Sequence, residues 1–186
     1  MSRFDVAPTP LQGLTVVKRQ RLGDNRGYLA RLFCAEEFAA IGFNGSIAQI
    51  NHTHTRRQGT VRGLHYQRPP HAEIKLVSCI RGEVWDVAVD LRHDSPTFLQ
   101  WHAQTLSADN ALALLIPEGF AHGFQAVSDD AELLYCHSAA YDATAEAGLH
   151  PEDDRLAIAW PLPMTELSAR DAGHTLITAE FRGLAT

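Results

Sequence analysis

The sequence predicts a mainly β protein, a double-sheet jelly roll or barrel with a few short helices. Three observations carry that expectation. Turn-forming strings cut the middle of the chain into short pieces with the spacing of a sandwich or barrel. Several pieces alternate residue character with period two, the mark of a strand that shows different faces to different surroundings. Runs with helical periodicity are scarce.

In chain order, Gly23-Asp24-Asn25 reads as the first turn. Residues 35–41 form a short helical candidate that Gly42 would stop, because glycine accepts the left-handed conformation at a helix end. Gly42-Phe43-Asn44-Gly45 continues that break. Residues 62–67 look like a strand running into the turn at Pro69-Pro70. Residues 74–80 are rich in branched side chains and stop at Arg81-Gly82. Residues 82–91 place Trp85, Val87, Val89 and Leu91 on one face and Val84, Asp86, Ala88 and Asp90 on the other. Further strands are expected at 97–106, 111–116, 123–127 and 131–138, separated by Pro117-Glu118-Gly119 and Ser128-Asp129-Asp130. Asp94-Ser95-Pro96 marks one more turn, and residues 168–172 add one turn of helix. Connections this short make the sheets antiparallel.

Composition narrows the class. The 186 residues fit one domain spanning 1–186. A chain of that size buries roughly 70% of its extended surface, enough for a core without staples. Sixteen Lys and Arg against 22 Asp and Glu give a net charge of −6, so the basic field that drives nucleic-acid binding is missing. The same balance argues against a polybasic membrane anchor. No apolar run approaches the ~20 residues of a membrane helix, and the start Met1-Ser2-Arg3-Phe4-Asp5 does not read as a signal peptide. Cys34, Cys79 and Cys136 are odd in number and far apart, which fits reduced thiols and a cytoplasmic location. Ten histidines are an excess that directs attention to chemistry.

The densest polar string is Arg62-Gly63-Leu64-His65-Tyr66-Gln67. It reads either as a polar edge strand or as the place of an acid–base group at His65, histidine being the side-chain type suited to proton transfer near neutral pH. Pro117-Glu118-Gly119-Phe120-Ala121-His122 resembles the core of the second cupin motif, in which a histidine begins a strand facing into the barrel. In metal cupins that histidine is a ligand, and His52-Thr53-His54 would have to supply the partner motif. Thr55, Arg56, Arg57, Gln58 and Gly59 follow it, with no carboxylate and two cations that oppose a divalent ion, so no metal is expected. Tyr135 and His137 share a strand face, where Tyr135 serves equally as core. Asp171 reads as a helix cap, a surface charge or a site residue.

Taken together, Arg62 to Gln67, Lys75-Leu76-Val77, Asp86-Val87-Ala88-Val89-Asp90, Ser95-Pro96-Thr97-Phe98, Ile116 to Phe124, Trp160-Pro161 and Leu167-Ser168-Ala169-Arg170-Asp171 resemble the dTDP-4-dehydrorhamnose 3,5-epimerase family. The likeness in order and spacing runs from about residue 23 to residue 171. It implies a cupin-type double-stranded β-helix, usually a homodimer, that uses no metal or organic cofactor. It implies epimerisation at C3, C5 or both of a nucleoside-diphospho-4-keto-6-deoxy sugar, in the making of deoxysugars for polysaccharides or natural products. By the resemblance, His65 is the base, Asp171 holds its other ring nitrogen, Tyr135 is the acid on the opposite face, and Lys75 lies by the 4-keto oxygen. Arg26, Arg62, Gln49, Asn51, His122, Tyr141, Glu146 and Arg170 match positions that bind the substrate. Arg170 stands where lysine is commoner.

Other departures are visible. Arg31, counted with the binding positions, stands where the family usually has glutamate, Ile50 interrupts Gln49-Asn51 where an aspartate is usual, Ala140 precedes Tyr141 in place of a second tyrosine, and an extra residue falls near Gln58. The acid–base set survives these changes. They bear on recognition of the nucleotide and sugar, and leave a single-carbon epimerase, a non-catalytic sugar-nucleotide-binding cupin and a metal-dependent cupin as alternatives.

Overall fold

A computed structural model describes residues 2–185. The chain opens with β1 (Phe4–Pro8) and β2 (Thr15–Arg19), followed by a hairpin of β3 (Arg21–Asp24) and β4 (Gly27–Ala30) and the short helix α1 (Ala35–Ala39). Then come β5 (Gln49–Thr55), β6 (Val61–Gln67), β7 (Lys75–Arg81), β8 (Glu83–Asp90), β9 (Trp101–Ser107), β10 (Leu112–Ile116), β11 (Phe120–Ala126), β12 (Ala131–His137) and β13 (Glu146–Gly148), with α2 (Ala169–Ala172) near the end. A six-stranded sheet in the order β1-β2-β10-β7-β12-β5 faces a five-stranded sheet in the order β13-β6-β11-β8-β9, and β3-β4 stands apart. The pairings within these sheets are antiparallel. This is the double-sheet jelly roll that the turn spacing predicts.

Apolar burial accounts for the layers. Between the sheets lie Val77, Val84, Ala88, Leu106, Leu114, Ile116, Phe120, Phe124 and Leu133. A second cluster joins Val87, Val89 and Leu91 to Leu149, Leu156, Ile177 and Leu184, so the C-terminal segment covers the other face of β8. Trp85 packs edge-on against both Trp101 and Trp160, at 5.7 and 5.5 Å between ring centroids. A third cluster sets Phe38 and Phe43 against Leu76, Ala113 and Leu115. Strand β8 is therefore buried on both faces, which is why its alternation separates large apolar residues from small and acidic ones.

Several expected boundaries shift. The strand expected at 97–106 begins at Trp101, because Asp90 accepts from Ser95 Oγ at 2.5 Å and Thr97 Oγ1 at 2.7 Å and ties the preceding residues into a turn. Leu99 takes φ +62° there, outside the strand region. The strand expected at 123–127 starts earlier, at Phe120. Strands β1 to β5 and β13 carry no alternation that sequence reading detects. β3 is exposed throughout and β1 in all but one residue, so burial imposes no pattern on them. Helix α1 ends at Ala39, ahead of Gly42 at φ +106°.

Candidate active site

One end of the jelly roll opens into a cavity of about 540 Å³ between the two sheets. The six-stranded sheet supplies its side chains in rows. Gln49, His137 and Lys75 are register partners across β5, β12 and β7, and Asn51, Tyr135 and Val77 form the next row. Facing them, β6 supplies His65, the register partner of His122 on β11.

A break in strand alternation brings Arg62 to the same cavity. Strict period two would put residue 62 with Leu64 and Tyr66, which belong to the cluster under the C-terminal segment. Gly63 takes φ +118°, and the pairing of β6 with β11 shifts register between His122 and Phe124. A Cβ on Gly63 would lie 2.6 Å from Gly123 Cα, so this crossing admits only glycine.

His65 Nε2 and Asp171 Oδ1 are 2.7 Å apart, while Asp171 Oδ2 accepts from the Gly63 N–H at 3.2 Å. Ser168 caps α2 by accepting from the Asp171 N–H, so the cap that starts this short helix also fixes the carboxylate. Burial pushes the Asp171 carboxyl up. The bond from His65, its charge, the Gly63 N–H and Arg170 outweigh burial and hold the group at about 2. The anionic Asp171 favours the tautomer with the proton on Nε2 and the lone pair on Nδ1, against Arg170 Nη2, which approaches the same Nε2 at 2.9 Å.

Tyr135 is buried on the opposite sheet, and burial raises its phenol well above the ordinary value, so it keeps its proton. Lys75 Nζ lies 3.1 Å from Glu73 Oε1 and donates to the His65 carbonyl at 3.4 Å. His122 Nε2 meets Asp86 Oδ2 at 2.9 Å beneath the cavity, and its ring stands edge-on to Tyr135 at 5.9 Å. Asp86 is fully buried, its pKa is raised by burial, and its Oδ1 has no partner. At the rim the Tyr141 hydroxyl donates to Glu146 at 2.9 Å, and Arg170 Nη1 donates to Glu146 Oε1 at 3.1 Å. Gln49 Nε2 donates to Asn51 Oδ1 at 3.0 Å. Arg62 donates to Thr55 Oγ1 and the His54 carbonyl, with guanidinium donors to spare.

Of the residues singled out in the sequence, His65, Tyr135, Asp171, Lys75, Gln49, Asn51, Arg62, Tyr141, Glu146, Arg170 and His122 all line this cavity. Arg26 and Arg31 do not. Arg26 sits at the tip of the β3–β4 hairpin, paired with Asp24 at 2.6 Å, and Arg31 pairs with Glu37 at 2.6 Å beside α1. Sequence reading did not place Glu73, His137 and Asp86 among the site residues. Period two was the available signal: Glu73 shares a face with Lys75, and Asp86 interrupts the apolar pair Val84 and Ala88.

The His-x-His pair does not join His122. His52 and His54 face outward and bond to Glu132 and Asp130 at 2.9 and 2.7 Å. The one potential metal-ligand group among the described residues is His65, Asp171 and His174, with ligand atoms within 4.8 Å of one another. The Arg170 guanidinium lies 2.9 Å from His65 Nε2 and 3.5 Å from Asp171 Oδ1, a cation where an ion would have to sit.

A jelly roll whose cavity joins a His–Asp couple, formed between β6 and α2, to a lysine and a buried tyrosine on the facing sheet has the architecture of a cupin-type isomerase. Residues 8–179 match the family model described as dTDP-4-dehydrorhamnose 3,5-epimerase. The chain is 40% identical to the enzyme of that name from Shigella flexneri, over 96% of this chain and 99% of that one. It is also 40% identical to a dTDP-4-dehydrorhamnose 3-epimerase from Streptomyces niveus, over 94% and 84%. The epimerase from Legionella pneumophila, solved in complex with dTDP-4-keto-L-rhamnose, superposes with a TM-score of 0.91 at 37% identity, covering 98% of this chain and 99% of that one. The chain belongs to the dTDP-4-dehydrorhamnose 3,5-epimerase family and is an epimerase.

Proposed function

We infer that this protein, acting as one domain over 1–186, inverts C3 and C5 of a dTDP-linked 4-keto-6-deoxy sugar. The observation that carries this reading is the single cavity that gathers the His65–Asp171 couple, Lys75 and Tyr135 from opposite sheets. A proton beside a ketone is a weak acid, so its removal needs a base and a stabiliser for the enolate oxygen. The unprotonated nitrogen of His65 takes the proton, and Asp171 supports the imidazolium that forms. The Lys75 ammonium faces the developing oxyanion. Tyr135, kept protonated by burial, returns a proton from the other wall, which inverts the carbon instead of restoring it. The sugar's own ketone is the electron sink. Arg62 and Arg170 offer guanidinium forks to the diphosphate.

Incubation with dTDP-4-keto-6-deoxyglucose in D₂O tests the reading. Deuterium at C3 and C5 is expected, lost in His65→Ala. Tyr135→Phe is expected to exchange on the original face with little net inversion. Absence of exchange at both carbons in the wild type overturns the proposal. The Streptomyces niveus relative motivates a second reading, inversion at C3 alone, which the same experiment shows as deuterium at one carbon.

The active form in this proposal is a homodimer. β5 ends its sheet with an open edge and an exposed Ile50, and the hairpin bears exposed Leu22, Tyr28 and Leu29. Arg26 contributes to substrate binding only if the hairpin of one copy reaches the cavity of the other. A cytoplasmic location is supported by three unpaired cysteines.

A further inference from the structure

Glu73, Lys75 and His137 form a bonded trio on the cavity wall, with side chains only 9%, 9% and 10% exposed. Glu73 precedes β7 by two residues, so strand alternation carries it onto the interior face beside Lys75. His137 is the register partner of Lys75 on β12. One carboxylate spans both: Oε1 lies 3.1 Å from Lys75 Nζ, and Oε2 accepts from His137 Nδ1 at 2.7 Å. Nδ1 as donor leaves Nε2 of His137 as an acceptor, 3.4 Å from Asn51 Nδ2. The His137 ring stacks on Tyr135 at 6.0 Å. Burial raises the Glu73 carboxyl, but the bond from His137 and the charge of Lys75 bring it below its ordinary value, so it is an anion.

A buried ion pair contributes little net stability, because desolvation consumes most of the Coulombic gain. Its position is the more informative fact. Lysine carries a flexible four-carbon stem, and an ammonium that stabilises a transient oxyanion must already be in place when the charge develops. We propose that Glu73 is a positioning residue for the proton transfer, holding the Lys75 ammonium at the enolate oxygen. This rests on the reading that Lys75 faces the 4-keto oxygen.

A double-mutant cycle of Glu73→Gln and Lys75→Met, read as kcat, KM and deuterium uptake, tests it. Removing a donor of the Lys75 kind is expected to lower kcat about 10²–10³-fold. Glu73→Gln is expected to lower kcat about 10–100-fold with KM within about threefold, because it disturbs an interaction made only in the transition state. The double variant is expected to be no slower than Lys75→Met alone, because Glu73 acts through Lys75. A kcat in Glu73→Gln equal to or above wild type overturns the inference. So does a double variant slower than Lys75→Met by the full Glu73→Gln factor, which is the behaviour of a merely structural residue. If thermal melting shows that Glu73→Gln does not fold, Glu73→Asp takes its place in the cycle with the same two criteria, since its shorter chain keeps the charge but cannot span both partners. A wild type without exchange on any dTDP-ketosugar refutes the functional reading and this inference with it, whereas an active wild type with additive variants refutes only the role of Glu73.

Discussion

Asp171 shows how much chemistry one side chain can carry. It accepts from His65, accepts from the Gly63 N–H and begins a helix through Ser168. Asp171→Asn would leave the shape nearly intact but present an amide to Nε2, favouring the wrong imidazole tautomer. A loss of about 10²–10⁴ in kcat with little change in KM is expected, measured by inversion and by deuterium uptake. The same carboxyl gives an acid limit to stability. Its folded pKa is depressed to about 2, below the unfolded value of about 3.9. Its contribution is therefore fully present above pH about 4 and is lost as the pH falls towards 2. Urea midpoints of the Asn variant and the parent should converge across that window, and a constant difference down to pH 2 would contradict the assignment. The local pattern is compatible with Asp171 as cap, surface charge or site residue, and only the family resemblance pairs it with His65, because nothing local says that it meets a residue 106 positions away.

At the scale of elements, the crossing of β6 and β11 decides where the site can be. Gly63 breaks alternation, and that break lets Arg62 and His65 share a cavity. Gly63→Ala places a Cβ against Gly123 and forces a side chain into φ +118°, so a destabilisation of at least about 2 kcal/mol is expected, read from urea denaturation. Unchanged stability would mean that the strands separate more easily than the register implies. Sequence reading identified β7, β8, β10 and β12 closely because burial imprints branched and alternating residues on central strands. It missed β1 to β5 and β13. Exposed strands such as β1, β3 and β4 need no such pattern, and β5 and β13 pair with strands distant in sequence.

For the whole molecule, assembly turns on the open edge that β5 gives the six-stranded sheet. Ile50, 57% exposed on the edge strand, stands where the resemblance implies an aspartate. If copies meet along β5, Ile50→Arg should shift the protein from dimer to monomer in light scattering at micromolar concentration. An unaltered dimer would place the interface elsewhere. Arg26 and Arg31 show why a resemblance does not settle position: both are charged as a phosphate site requires, yet within one chain they pair with Asp24 and Glu37, away from the cavity.

By itself the sequence determined the mainly β class and the turn positions, because glycine and proline punctuation and strand alternation are local constraints that each residue obeys alone; the acid–base set it offers rests on the family resemblance. Only the tertiary structure decided that Glu73 and His137 share the cavity with Lys75, that Asp86 lies beneath it against His122, that His52 and His54 face away from it, and that one carboxylate ties Lys75 to His137. Those outcomes depend on register between strands far apart in the chain, and register is fixed by packing two sheets face to face, an interaction that no local pattern encodes.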